Sequence, residues 1–112
     1  MVTIDYAAFE AVDMRAGTII AIEPFPAARK PAYKIQVDFG SEIGLKWSSA
    51  QVTALYSADE LVGTQVVAVV NFPVKRIAGF ASEVLVLGVP DSDGNVVLLR
   101  PERAVTNGVR VY

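Results

Sequence analysis

Residues 33–39, Tyr-Lys-Ile-Gln-Val-Asp-Phe, alternate strictly between apolar and polar side chains. Successive side chains of a β-strand point to opposite faces of its sheet, so this segment predicts a half-buried strand with Tyr33, Ile35, Val37 and Phe39 facing inward. A period of two is incompatible with one face of a helix. The register favours Tyr33 as a core residue over a ligand-stacking residue, and it leaves Lys34 facing outward.

Further short apolar runs follow along the chain, separated by glycine and proline. They predict strands at residues 14–22, 45–53, 65–72, 83–89, 96–99 and 109–111. The runs at 65–72 and 83–89 are rich in valine and nearly continuous, which is typical of strands covered on both faces. Three prolines make residues 23–32 an exposed loop.

Two short helices complete the predicted fold. Residues 4–12 can form an N-terminal helix with Tyr6 and Phe9 on one side. Ser57 and Glu60 have the spacing of a capping box, which opens a second helix that Gly63 ends. The helix between the third and fourth strands predicts an all-β fold, a small OB-fold β-barrel, in one domain spanning residues 1–112. Seven apolar stretches are many for so small a barrel, so we expect a dimer.

The chain contains neither cysteine nor histidine. Disulfides, the usual zinc sites and the common nucleophile–histidine pairs are therefore excluded, and we predict no catalytic residue, no cofactor and no metal site. A carboxylate- or metal-dependent enzyme remains the less favoured alternative. Asp91, Asp93, Asn95 and Glu102 have the spacing of a calcium loop, but Val96 stands where that loop needs glycine, so a hairpin turn is predicted.

The apolar runs are all shorter than the ~18–20 residues of a membrane span, so we expect no membrane insertion. The N-terminal segment carries Asp5, Glu10 and Asp13, and it lacks the basic and apolar regions of a secretory signal. These features predict a cytoplasmic protein.

Positive charge is concentrated in the middle of the chain although the net charge is −2. Six of the ten Lys and Arg residues lie between Arg29 and Arg76, and the local balance there is +2. Lys75 and Arg76 fall in a predicted loop that Pro73 stiffens, where they can meet phosphate groups or simply solvate the loop. Arg29 and Lys30 precede Tyr33 in an earlier loop.

The segment from Lys46 to Thr53 is the second candidate binding surface. Its short polar side chains, Ser48, Ser49, Gln51 and Thr53, can hydrogen-bond a ligand from the outer face of the barrel. Trp47 can stack on a nucleic-acid base or fill the core, and the sequence leaves both interpretations open.

Several motifs resemble the CsaA family, which is built on the tRNA-binding domain also found at the C-terminus of some methionyl-tRNA synthetases. The motifs are Asp13-Met-Arg-Ala-Gly17, Ser48-Ser-Ala-Gln-Val-Thr53, Leu61-Val-Gly63, Val69-Val-Asn-Phe-Pro73, Arg76-Ile-Ala-Gly79 and Ser82-Glu-Val-Leu-Val-Leu-Gly88. The resemblance implies an OB-fold homodimer that binds tRNA by shape and, in CsaA, also binds unfolded precursor proteins destined for export.

Position by position, the resemblance carries tRNA binding onto Asn71, Lys75, Arg76, Ser82 and Lys30. The outward-facing Lys34, together with Lys46, completes the set of candidate nucleic-acid-binding residues. Relatives often read Ser-x-Gly-Met where this chain reads Ser82-Glu-Val-Leu85, which puts the Glu83 carboxylate beside the expected phosphate site. Val74 also replaces the second proline of a Pro-Pro loop.

The sequence thus predicts a non-catalytic tRNA-binding homodimer with chaperone activity toward exported precursors. The alternative is a peptide-binding chaperone with no role in tRNA binding. Salt dependence separates the two, because phosphate contacts weaken with salt and apolar peptide contacts do not.

Overall fold

The computed structural model describes residues 1–112, and short strands account for most of its regular structure. In chain order the elements are α1 (Tyr6–Ala11), β1 (Met14–Pro24), β2 (Tyr33–Asp38), α2 (Gly40–Ile43), β3 (Leu45–Ala50), α3 (Ala58–Leu61), β4 (Gln65–Val69), β5 (Lys75–Ile77), β6 (Phe80–Ser82), β7 (Leu85–Val86), β8 (Gly88–Pro90) and β9 (Val96–Leu98). None of the three helices has the length and hydrophobicity needed to cross a membrane.

Five strands form the main sheet in the order β3-β2-β1-β4-β7, and all neighbours are antiparallel. The long strand β1 pairs with β2 through one part of its length and with β4 through another. A bulge in β1 between Ile19 and Ala21 interrupts its register with β2. Because bulges bend a strand and increase its twist, this one helps the sheet to curl toward a barrel.

The barrel is nearly closed where β3 approaches the segment between β6 and β7. The Glu83 backbone N–H donates to the Trp47 carbonyl at 2.8 Å, and the Ser48 hydroxyl donates to the Val84 carbonyl at 2.8 Å. Side-chain groups thus supplement the backbone ladder at this seam. The predicted all-β OB-fold barrel, with α3 between the third and fourth strands and α1 at the N-terminus, is confirmed.

The core lies inside this barrel and confirms the predicted alternation in β2. Ile35, Val37 and Phe39 are buried, while Tyr33 is half-buried and packs against them. Strands β1 and β2 approach closely at Gly17. A Cβ atom added to this glycine would lie 2.6 Å from Val37 Cγ1, so no larger residue fits there without a shift. The buried cluster comprises Ile19, Ile35, Val37, Phe39, Ala50, Val52, Leu61, Val66, Ala68, Val84 and Leu98.

The predicted capping box at the start of α3 is present in full. The Ser57 hydroxyl accepts the Glu60 backbone N–H, and the Glu60 carboxylate accepts the Ser57 N–H at 2.7 Å. Leu61 at the end of this helix is fully buried in the core, so α3 packs against the barrel. The one-turn helix α2 was not predicted, because Gly40 and Gly44 suggested only a turn.

Several predicted strands are shorter than expected. The run at 45–53 ends as a strand at Ala50, and the run at 65–72 ends at Val69. The prediction of a strand covered on both faces at 83–89 is wrong: this stretch splits into β7 and β8, and Leu85 and Val89 are about half exposed. At the C-terminus only a bridge between Arg110 and Arg15 forms.

Candidate nucleic-acid interface

A cleft of about 760 Å³ opens on the surface between the loop after β1 and the hairpin of β5 and β6. The loop supplies one wall with Arg29 and Lys30, and the hairpin supplies the other with Lys75 and Arg76. Between them lie Ser49 of β3 and Gln51, which together are called the floor of the cleft. The full lining is Ala27, Ala28, Arg29, Lys30, Ala32, Ser49, Gln51, Lys75, Arg76, Ile77 and Ala78.

All four cations of this cationic cleft are exposed. The salt bridges of the chain use Arg15, Lys46, Arg103 and Arg110, so none of the cleft cations is neutralised by a carboxylate of the chain. No acidic residue lines the cleft. An overall acidic protein therefore presents one concentrated positive site, suited to a polyanion.

The cationic hairpin corrects one expectation from the sequence. Lys75 and Arg76 were predicted in a loop, but they lie in strand β5, which pairs with β6. The turn between the strands places Ala78 at φ 47° and Gly79 at φ 81°. Positive φ at both central residues is the requirement of a type I′ hairpin turn, which aligns the flanking strands tightly. The two cations are therefore held on a regular ribbon.

An aromatic contact fixes this hairpin to the barrel. Phe80 in β6 packs edge-on against Phe25, with ring centroids 5.4 Å apart, and against Trp47 at 6.1 Å. The Lys34 ammonium lies 4.9 Å from the Phe25 ring centroid and 5.1 Å from that of Phe80. Trp47 is half-buried in this contact, and Lys34 lies outside the cleft lining.

The polar residues of β3 divide between the two faces of the barrel. Ser48 was expected on the outer face, but this residue is only 1% exposed. Its hydroxyl donates a hydrogen bond to the Val84 carbonyl. Ser49 and Gln51 point to the opposite side and line the floor of the cleft. Thr53 lies beyond the strand, in two shallower depressions beside the cleft.

Lys46 and Ser82, both members of the candidate set, are engaged at the barrel seam. Lys46 Nζ lies 3.8 Å from Glu83 Oε2, and the other oxygen of Glu83 accepts the Trp47 backbone N–H at 3.0 Å. The Ser82 hydroxyl accepts the Ser49 backbone N–H at 3.0 Å. The resemblance implied that Glu83 lies beside the phosphate site, and the structure shows that it faces Lys46.

Asn71 lies away from the cleft and connects two backbone segments. Its side-chain oxygen accepts the Asp13 N–H at 3.0 Å, and its side-chain nitrogen donates to the Ala11 carbonyl at 2.8 Å. This geometry favours a role in bracing the end of α1. Of the seven candidate residues, the structure brings Lys30, Lys75 and Arg76 together in the cleft.

Three polar residues of the cleft, Arg29, Ser49 and Gln51, were absent from the set of seven candidate nucleic-acid-binding residues. Arg29 adjoins Lys30 in the sequence, and that basic pair was the available signal. Ser49 and Gln51 belong to the segment that the sequence had indicated as the second candidate binding surface, and their spacing of two indicated that they share a face.

A second, apolar groove of about 250 Å³ lies on the other side of Lys75. Phe72 and Leu85 in its wall are each about half exposed. The groove is lined by Phe72, Pro73, Lys75, Ser82, Glu83, Val84 and Leu85. Its walls therefore offer apolar surface together with one charge of each sign.

Comparison with known proteins agrees with this architecture. Residues 14–110 match the family described as "Putative tRNA binding domain". The structure is similar to that of the chaperone CsaA from Bacillus anthracis, with 49% identity, a TM-score of 0.91 and coverage of 99% of this chain and 100% of that one. The CsaA chaperone protein from Picrophilus torridus has 47% identity, a TM-score of 0.92 and coverage of 98% and 100%.

The chain is also 30% identical, over 111 residues, to the methionine–tRNA ligase of Methanocaldococcus jannaschii. The match covers 99% of this chain but only 17% of that enzyme. The chain thus corresponds to a small part of the ligase. These similarities confirm the resemblance that the sequence motifs indicated.

Proposed function

The chain belongs to the tRNA-binding domain family, and we propose from this membership that it binds tRNA through the cationic cleft without catalysing a reaction. The observation that carries the proposal is the convergence of Arg29, Lys30, Lys75 and Arg76 from two separate segments, with no carboxylate among them. In this reading residues 1–112 act as one tRNA-binding domain. A tRNA ligand would place the protein in the cytoplasm.

Arginine and lysine contribute differently to such a site. Arginine offers a planar fork that can engage two phosphate oxygens, whereas lysine supplies a mobile point charge. Each phosphate that the cleft neutralises releases counterions, so log K falls linearly with log salt. Four phosphate contacts per chain would give a slope of about −2.8 to −3.6, from −0.7 to −0.9 per contact.

The test is tRNA binding to a Lys75→Ala, Arg76→Ala double variant, measured by fluorescence anisotropy at several salt concentrations. The salt slope should become shallower by about 1.4–1.8, the contribution of two phosphate contacts. The control is an Arg100→Ala, Arg103→Ala double variant, which removes the same charge outside the cleft. It should keep the slope of the parent protein.

A loss of equal size in both double variants would show that net charge, and not the cleft, determines binding. A salt-independent affinity for the parent protein would exclude phosphate contacts as its source. Circular dichroism of each variant confirms that the fold is intact.

We further propose that two copies of the chain associate through α1 and the C-terminal segment. None of the six residues of α1 is buried, and Tyr6 in that helix is 66% exposed. A six-residue helix is too short to be stable unless its apolar side is covered. Light scattering after gel filtration should give twice the subunit mass, and a mass of one subunit would exclude the dimer.

The apolar groove beside Lys75 supports a second function, the binding of unfolded precursor proteins. Exposed Phe72 and Leu85 offer apolar contact area, and an extended peptide can occupy such a groove by packing. An unfolded precursor should then bind at high salt, where tRNA is released. A Leu85→Ser substitution, which removes apolar surface without adding charge beside Lys75, should weaken peptide binding and leave tRNA binding unchanged. Peptide binding only at low salt would instead assign it to the cationic cleft.

A further inference from the structure

The size of the cationic cleft limits what can reach its floor. Its volume of about 760 Å³ falls within the ~300–1,000 Å³ of sites for single small molecules. A paired RNA helix can touch the rim with its phosphates, but its bases are held within a deep, narrow major groove and a shallow minor groove. Only a nucleotide that leaves the helix can enter the cleft.

The floor differs in chemistry from the walls. Ser49 and Gln51 are uncharged and can hydrogen-bond, whereas the four charged residues come from the loop after β1 and from the hairpin. Gln51 is exposed, and its amide offers one acceptor and two donor hydrogens. Ile77 and Ala28 supply apolar surface to the same cleft. Phosphate groups should bind the cations of the two walls, whereas the polar, uncharged side chains of the floor can hydrogen-bond the edge of a nucleobase.

We propose that the cleft binds one unpaired nucleotide of the RNA, with the base edge on Gln51 and Ser49 and the neighbouring phosphates on the cationic walls. The inference rests on the proposed tRNA-binding function and specifies what part of the RNA the cleft takes. It assigns base recognition to the floor. The aromatic rings are engaged elsewhere, because Phe80 contacts Phe25 and Trp47 and lies under Lys34.

The test compares two RNA hairpins of equal length and equal phosphate number. One is fully paired in its stem and blunt-ended, and the other has a shorter stem and a single-stranded 3′ end, with the same closing loop. Equal phosphate number makes the counterion contribution nearly the same for both. We expect the RNA with the unpaired end to bind about threefold to tenfold more tightly, the net effect of one or two hydrogen bonds.

Two substitutions locate that preference. Gln51→Ala should remove most of it, and Ala28→Trp should abolish it by filling the cleft. Gln36→Ala is the matched control, because Gln36 lies on the neighbouring strand β2 and outside the cleft lining. This variant should retain the full preference.

Equal affinity of the parent protein for the two hairpins would overturn the inference while leaving tRNA binding in place. A preference that survives both Gln51→Ala and Ala28→Trp would also overturn it. Failure to bind either hairpin or tRNA would instead refute the proposed function itself.

Discussion

The ring of Phe80 meets the ring of Phe25 edge-on, with centroids 5.4 Å apart and an interplanar angle of 67°. Phe25 begins the loop that carries Arg29 and Lys30, and Phe80 lies in the hairpin that carries Lys75 and Arg76. This one aromatic contact therefore joins the two walls of the cationic cleft. Edge-to-face aromatic pairs at this separation stabilise a fold by more than the burial of their apolar area alone.

Replacing Phe80 with Ala should therefore weaken tRNA binding without changing the charge of the cleft. We expect a stability loss of about 1–2 kcal/mol, below the ~3–5 kcal/mol of a fully buried Phe, because Phe80 is only half-buried. Amide hydrogen exchange should become faster at residues 75–82. Phe72→Ala, which removes an exposed ring outside the cleft, should affect neither exchange there nor tRNA affinity. Unchanged exchange in the Phe80 variant would contradict the anchoring role.

Ser48→Ala should destabilise the barrel seam. The buried Ser48 hydroxyl donates to the Val84 carbonyl, and its removal leaves that buried acceptor without its partner. The expected loss in the free energy of unfolding is about 1–3 kcal/mol, measured by urea denaturation. Ser49→Ala is a close control, because Ser49 bonds Ser82 through its backbone N–H and not through its hydroxyl. Equal losses in the two variants would argue against this account of the seam.

Asp13 should make stability depend on pH in the acid range. The hydrogen bond from Arg15, at 2.6 Å from its Nε, is the main cause that lowers the pKa of Asp13 below its ordinary value of 3.8. The charges of Arg15 and Arg110 add to this shift, and partial burial opposes it. A carboxyl with a lowered pKa in the folded state stabilises the fold above its unfolded pKa, and the contribution is lost as pH falls through the folded pKa.

The measurement is the free energy of unfolding of the parent protein and of Asp13→Asn, followed from neutral pH to below pH 3.8. The parent should be more stable at neutral pH, and the difference should shrink as the carboxyl is protonated. Glu102→Gln provides the control, because the Glu102–Arg103 pair is almost fully exposed and such pairs contribute little. A difference that stays constant across this range would exclude the carboxylate as its source.

The sequence predicted the barrel because its signals there are local. The alternation in β2 follows from positions two residues apart, and the capping box needs only Ser57 and Glu60. The hairpin of β5 and β6 escaped prediction because its turn depends on Ala78 adopting a positive φ, which alanine rarely does. No propensity scale indicates such a turn before the flanking strands are known to pair.

The candidate residues were harder to assign, because their roles depend on partners far away in the sequence. Ser48 looks like a surface serine until Val84, 36 residues later, places a carbonyl beside it. Asn71 reads as a ligand-binding residue, yet its partner Ala11 lies 60 residues earlier. Basic residues in separate segments could be counted from the sequence, but only the fold shows that Arg29 and Arg76 line one cleft.

Glu83→Gln should strengthen tRNA binding, because the Glu83 carboxylate pairs with Lys46 and competes with phosphate for that cation. Glu83 Oε2 lies 3.8 Å from Lys46 Nζ, while Oε1 accepts the Trp47 N–H. Glutamine keeps an oxygen for the Trp47 N–H, so the seam should remain closed, but it removes the charge opposite Lys46. If Lys46 then reaches one more phosphate, the salt slope should steepen by about 0.7–0.9. Glu102→Gln makes the same change in net charge far from Lys46, so an equal gain in both variants would exclude a local effect of Glu83.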